Sequence, residues 1–201
     1  METDILWEAP TLALLGGYLL GSIPFGVILT RLGGAGDLRR VGSGNIGATN
    51  VLRTGRKGLA ATTLLLDMLK GAAAVLVARA VAPGLEPLAG VAAVLGHCFP
   101  AWLRFRGGKG VATLMGVVAA LHWPAGLAFA AIWLALLAAT RVSSLAGMAA
   151  SASAPVSAAL FGRLDLVLPL LALALIVLWR HGENIRRLLD GTEPRVGRRR
   201  A

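Results

Sequence analysis

The sequence predicts an all-α integral membrane protein, a single bundle of seven transmembrane helices. Three observations predict it. Hydrophobic residues make up 56% of the 201-residue chain, and the mean hydropathy of +0.72 is one that soluble domains rarely reach. The apolar runs are long, carry few charges and recur from end to end, as membrane-spanning helices require. The cations gather in alternate connecting segments, the pattern that membrane topology imposes.

The predicted spans are 9–30, 58–80, 86–103, 110–122, 124–140, 143–161 and 164–180. An odd number puts the termini on opposite sides. The third and fourth are short for a hydrocarbon core of about 30 Å and are expected to be tilted, partly re-entrant or buried in the bundle. Five spans plus a hairpin would instead leave Arg104, Arg106 and Lys109 inside the membrane. One set of segments holds Arg31, Arg39, Arg40, Arg53, Arg56, Lys57, Arg104, Arg106, Lys109, Arg141 and the arginines from Arg180 onward, whereas the opposite set holds Arg79 and Arg163. The positive-inside rule therefore puts the N-terminus outside and the C-terminus in the cytoplasm. Glu2, Asp4 and Glu8 precede the first run with no Lys or Arg, unlike the positive leader of a cleavable signal. Residues 1–201 read as one membrane-embedded domain, with 191–201 expected to form a flexible basic tail near anionic lipid.

Composition also excludes partners. The net charge of +10 follows the topology, so no nucleic-acid partner is expected. Cys98 is the only cysteine, which excludes an intrachain disulfide and argues against a cysteine metal cluster. No cofactor and no metal are expected.

Every unusual polar loop falls on the cytoplasmic side of this topology. The first is Gly42–Asn50, flanked by Arg39, Arg40, Arg53 and Arg56. It formally contains G-x-G-x-x-G at Gly42, Gly44 and Gly47, but no strand precedes it, so a dinucleotide site is rejected. The expected structure is a glycine turn feeding a short helix over 46–53, with Ser43 or Asn45 as its N-cap. Such a helix start beside arginines suits an anion; a plain capped turn would use the same residues. The second loop is Phe105-Arg106-Gly107-Gly108-Lys109-Gly110-Val111. It lacks phosphate-loop spacing, since Leu103 stands where the first glycine belongs. Its glycines still allow close backbone approach to a ligand, beside one point charge. The third element carries His181 and Asn184, three apart and so on one face if helical.

Asp67 and Lys70 lie within the second span, Asp67 about 15 Å along the helix from Lys57. Ionisable groups at that depth default to function, or neutralise each other as an i, i+3 pair. His97, just before Pro100, reads as structural. Ser143 and Ser144 follow Arg141 and look like a helix cap. No His-x-x-x-x-Asp occurs, because Trp102, Leu127 and Arg186 stand five after the three histidines, which disfavours a His/Asp general base. No Asp-x-x-Asp pair serves Mg²⁺-diphosphate chemistry, and no G-x-S-x-G elbow exists.

Taken in order, several stretches resemble one family. They are Gly21-Ser22-Ile23-Pro24-Phe25-Gly26, Gly42–Asn50, Asp67-Met68-Leu69-Lys70-Gly71, Gly96-His97-Cys98-Phe99-Pro100 running into Phe105–Thr113, and His181–Leu188 with Gly191-Thr192-Glu193. The family is the bacterial membrane glycerol-3-phosphate acyltransferases that use acyl phosphate as donor (the PlsY family). The resemblance spans nearly the whole chain. The sequence departs from it at Arg106, where Lys is frequent, and at Gly182, where a cation is common.

The resemblance implies a multi-pass enzyme of the bacterial cytoplasmic (inner) membrane, with its site facing the cytoplasm. It would move a fatty acyl group from acyl phosphate to the 1-hydroxyl of glycerol 3-phosphate, giving lysophosphatidic acid and inorganic phosphate. Carried over by motif, Ser43, Asn45, Lys109 and His181 are the catalytic candidates. Gly44, Thr49, Arg53, Gly107, Gly108, Ser144 and Asn184 are the substrate-binding candidates. Arg53 and Lys109, with His181 and Asn184, are expected to hold the acceptor phosphate. The N–H groups near Gly44 and Gly107–Gly108, with Thr49 and Ser144, are expected to hold the acyl phosphate and its oxyanion. Asp67, Lys70 and His97 are left between bracing and chemistry. The expected partners are the lipid bilayer and the two substrates, with the chain a monomer. The alternative is a small organophosphate or anion transporter, which would require polar groups through the bilayer and matched inverted repeats. Only Asp67 and Lys70 qualify, and no repeat is evident.

Overall fold

The computed structural model describes residues 2–197; Arg198–Arg200 of the expected basic tail lie outside them. The described residues are helical, with no strand. They fall into two compact units, the first ending at Leu121 and the second starting at His122.

The first unit holds α1 (Glu2–Gly21), α2 (Phe25–Leu32), α3 (Ala48–Leu52), α4 (Lys57–Val81), α5 (Glu86–Cys98) and α6 (Val111–Leu121). The run 9–30 becomes α1 and α2, broken at Pro24, which has no N–H to continue a helix. The Ser22-Ile23-Pro24 break does not end the apolar stretch: Trp7–Leu32 remains long and apolar enough to cross a membrane. The expected span 86–103 is not one helix. Phe99-Pro100 stops α5 after 13 residues, and the chain continues as a 3₁₀ turn at Ala101–Leu103. α6 has 11 residues, about 16 Å of helix, so the shortness read from the sequence is real.

Small residues set the packing. A Cβ on Gly17 or Gly21 of α1 would meet the Ala89 or Ala93 carbonyl of α5, and one on Gly96 of α5 would meet the Tyr18 carbonyl of α1. The same closeness joins α4 to α6, where Gly71 faces the Thr113 carbonyl and Gly116 faces the Met68 carbonyl. Helices surrounded by lipid gain no hydrophobic drive from associating. They rely on close backbone approach through small residues instead.

The second unit holds α7 (Trp123–Thr140), α8 (Ser143–Leu160), α9 (Val167–Arg180) and α10 (Gly182–Leu189). α8 packs against both α7 and α9. Its buried side is mostly small, with Ala146, Gly147, Ala150, Ser151, Ala154 and Ala158 beside one larger residue, Met148. Large apolar side chains point outward instead, including Leu127 and Leu134 of α7 and Leu168 and Leu175 of α9. Trp123–Thr140 is long and apolar enough to span, and Leu164–Arg180 qualifies together with Gly182–Leu189 across a 60° bend.

Two glycine substitutions separate packing from backbone entropy. Gly116→Ala drives a methyl into the Met68 carbonyl and is expected to destabilise by about 1–3 kcal/mol. Gly16→Ala meets nothing within 4 Å and is expected to be neutral or to stabilise by about 0.5–1 kcal/mol. Thermal unfolding in detergent measures both.

Candidate active site

The loop 42–50 is built around Asn50, which is 2% exposed. Its Nδ2 donates to the carbonyls of Leu38 (3.1 Å), Val41 (2.9 Å) and Asn45 (2.8 Å). Its Oδ1 accepts from the Ser43 N–H at 3.3 Å and lies 3.5 Å from Arg53 Nη1. Gly42, at φ +55°, is required twice over, because a Cβ there would also strike Asn50 Oδ1 and the Arg53 side chain.

The short helix differs from the sequence expectation. α3 starts at Ala48 with Gly47 as N-cap and no side-chain cap, so neither Ser43 nor Asn45 caps it. Asn45 Oδ1 instead accepts the Gly47 N–H at 2.9 Å, a local turn that competes with helix. Five residues sum few peptide dipoles, so charge here comes mainly from arginine. Arg53, Ser43 and Thr49 are exposed. Arg39 is tied to Asp37 through Nη2 at 2.7 Å and Nε at 3.0 Å. The Arg39 side chain and then its backbone N–H hold the Asp37 carboxyl well below the usual carboxylate range.

The second loop caps α5. Gly107 N–H donates to the Cys98 carbonyl (3.1 Å) and Gly108 N–H to the His97 carbonyl (2.9 Å), while Gly44 N–H donates to Val41 (2.9 Å). These three N–H groups thus bond carbonyls of their own chain. Helix-end and turn carbonyls take them up, as buried carbonyls require. What the glycines provide is closeness. Lys109 follows directly, half-buried between buried Gly108 and Gly110.

Asp67 and Lys70 form the expected i, i+3 pair at 2.7 Å. His97 Nδ1 lies 3.6 Å from the same Asp67 oxygen, and Lys70 Nζ also donates to the Ile23 carbonyl at 2.7 Å. All three side chains are at most 4% exposed.

In the second unit the organiser is Glu193, which is not among the expected site residues. Its Oε1 accepts from Ser144 Oγ (2.7 Å) and Asn184 Nδ2 (2.6 Å), and its Oε2 from Arg187 Nε (2.7 Å). Burial pushes the Glu193 carboxyl up. The hydrogen bonds from Ser144, Asn184 and Arg187, with the Arg187 charge, outweigh burial and hold it below its ordinary value. His181 does not share a helix with Asn184; it ends α9 and caps α10 at the bend. Its Nδ1 bonds the Val177 carbonyl at 2.8 Å. A carbonyl only accepts, so Nδ1 carries a proton, and Nε2 is the ring's remaining polar atom. Among the described residues, no group of three or more His, Cys, Asp or Glu is placed to hold a metal ion.

The family described as Glycerol-3-phosphate acyltransferase matches residues 11–191. The chain belongs to the glycerol-3-phosphate acyltransferase family. A relative of that name from Novosphingobium aromaticivorans is 66% identical over 189 residues, covering 94% of this chain and 96% of its own. The crystal structure of PlsY, an integral membrane glycerol 3-phosphate acyltransferase, in its glycerol 3-phosphate form aligns with a TM-score of 0.88 at 38% identity, covering 94% of this chain and 96% of that one. The lysophosphatidic acid form aligns at 0.86 and 36% identity, covering 94% and 95%. Family membership makes the chain an integral membrane protein, as its composition predicts. Within the family's motifs, Asn50 bonds three loop carbonyls and Glu193 bonds three side chains. The sequence signal for each was only its position at the edge of a motif.

Two predictions follow from these organisers. Asn50→Asp replaces an amide donor facing three carbonyls with an acceptor, and is expected to cost about 2–4 kcal/mol; limited proteolysis of the 38–50 segment reads the loosening. For Glu193, a carboxyl held below its ordinary 4.5 adds stability above that value and loses it as pH falls through the lower folded-state value. Thermal stability is expected to fall below about pH 4.5. Glu193→Gln is expected to flatten that acid limb and start about 1–2 kcal/mol lower at neutral pH, screening allowed for. Unfolding curves across pH check both.

Proposed function

We propose that this chain transfers a fatty acyl group from acyl phosphate to the 1-hydroxyl of glycerol 3-phosphate, the first acylation of phospholipid synthesis. The observation that carries the reading is the match over nearly the full chain to PlsY in a glycerol 3-phosphate form and a lysophosphatidic acid form. Those ligands differ by one acyl group, so they bracket the transfer. The donor is the finer step. An acyl phosphate arrives with a good leaving group, so positioning and charge stabilisation supply much of the rate.

In this reading Arg53 and Lys109, with His181 and Asn184, hold the acceptor phosphate. Thr49, Ser144 and the close-approach glycines Gly44, Gly107 and Gly108 seat the acyl phosphate, with Ser43 and Asn45 beside it. Glu193 orients Ser144 and Asn184 rather than meeting phosphate, since two anions would repel. The 1-hydroxyl oxygen attacks the acyl carbon, the acyl–phosphate C–O bond breaks, and the leaving phosphate takes the hydroxyl proton. The chain acts as one membrane-embedded domain and a monomer. It crosses the bacterial inner membrane seven times, N-terminus outside, with the site toward the cytoplasm.

The test is inorganic phosphate release and product formation with purified protein and glycerol 3-phosphate, comparing acyl phosphate with acyl-CoA and acyl carrier protein donors. Product and phosphate are expected from acyl phosphate alone. Ser43→Ala, Lys109→Ala and His181→Ala, checked for folding, are each expected to lose at least about 100-fold in kcat/KM. Full activity in all three removes the site assignment. Transport of glycerol 3-phosphate without phosphate release removes the enzymatic reading.

A further inference from the structure

We propose that His97 is a positioning residue for Lys109, oriented by Asp67 and acting through the Gly108 backbone; this rests on Lys109 meeting a substrate phosphate. His97 lies on the last turn of α5 and is 4% exposed. Its Nδ1 edge faces Asp67 Oδ1 at 3.6 Å. Its other edge faces the glycine loop. The three atoms nearest to a Cβ built on Gly108 are His97 Nε2, Cε1 and Cδ2. The loop backbone therefore rests on the imidazole with no room for a methyl group.

Asp67 is itself held. It pairs with Lys70 at 2.7 Å, and Lys70 donates to the Ile23 carbonyl. A continuous series of contacts runs from the α1–α2 break through Lys70, Asp67 and His97 to Gly108, and Lys109 is the next residue. A buried ion pair adds little net stability over apolar packing, so stability alone is a poor reason for this one. The bonds of Gly107 and Gly108 to the α5 carbonyls fix the loop's distance from α5. Glycine torsions remain permissive, and the imidazole face removes that freedom. A long lysine side chain magnifies any shift of its own backbone, and a misplacement of about 1 Å costs about 100-fold in rate.

The test combines kinetics with a direct reading of Lys109. Steady-state transfer is measured for wild type, His97→Ala, Gly108→Ala, Gly107→Ala, the pairs of each glycine variant with His97→Ala, and Lys109→Ala. Labelling of Lys109 by an amine-acylating reagent is followed by mass spectrometry, with exposed Lys57 as internal reference. His97→Ala is expected to lower kcat/KM by about 10–100-fold and to change the Lys109 labelling rate several-fold relative to Lys57. Gly108→Ala is expected to be similarly impaired. Adding it to His97→Ala is expected to cost less than the two single losses multiplied, because the ring it strikes is gone. Gly107→Ala strikes the His97 and Cys98 carbonyls and Pro100 Cδ, so His97→Ala is not expected to relieve it. If His97→Ala does not purify as folded protein, His97→Gln takes its place with the same expectations. Wild-type kcat/KM in the His97 variant, unchanged Lys109 labelling, or multiplying losses at positions 97 and 108 would each overturn the inference. A fully active Lys109→Ala overturns the site reading beneath it.

Discussion

Lys70 places a buried ammonium on the Ile23 carbonyl at 2.7 Å, where Pro24 has broken the first helix. A carbonyl released from a helix among apolar side chains has no water to bond, and leaving it unmet is costly. The same constraint recurs at the other breaks. Tyr18 Oη donates to the Phe99 carbonyl at 2.7 Å and Trp102 Nε1 to the Ser22 carbonyl at 2.9 Å. Asn50 meets three carbonyls at once. These polar side chains therefore reach the places where helices stop. The helix stops are also where glycine and cation density is highest, so the demands of the backbone and the proposed chemistry share the same residues.

Carboxylates supply the second layer of order. Asp37 holds Arg39, Asp67 holds Lys70 and Glu193 holds Arg187. Each pair fixes a segment that the helices alone do not: the turn before Gly42, the wall behind the Gly107–Gly108 loop, and the chain leaving α10. Pairs of this kind contribute more through geometry than through net stability. Glu193 illustrates the point, since one carboxylate sets the directions of Ser144, Asn184 and Arg187 together.

Much of the fold was legible because it follows from local apolarity. Each apolar run became helix, and the shortness of α5 and α6 was visible in the run lengths. The family was legible from the order of its polar motifs. The Asp67–Lys70 pairing followed from i, i+3 spacing. The organisers were harder to see. Asn50 bonds carbonyls up to 12 residues away, and Glu193 meets Ser144 across 49; no local pattern encodes such partners. The cap at Ser43 or Asn45 failed for a related reason. Asn45 found a closer acceptor role in its own turn, and the helix began only after Gly47. The carbonyl partners of the glycine N–H groups were not legible either, because composition shows that a backbone is bare without showing which carbonyl it bonds.

Those bonded N–H groups change where the anion-binding power must come from. With Gly44, Gly107 and Gly108 donating to carbonyls of their own chain, the proposed site draws mainly on charge for attraction. The sequence has 20 Lys and Arg against 10 Asp and Glu, so carboxylates can neutralise at most half of the cations even if every one is paired. In the proposed topology the surplus follows from membrane orientation, and it also concentrates positive potential beside the glycine loops. A phosphate ester approaching from water is steered by that potential. In the proposed site the glycines then let it approach the backbone closely enough for a lysine or arginine to hold it. Orientation in the bilayer and recognition of phosphate thus draw on one charge distribution.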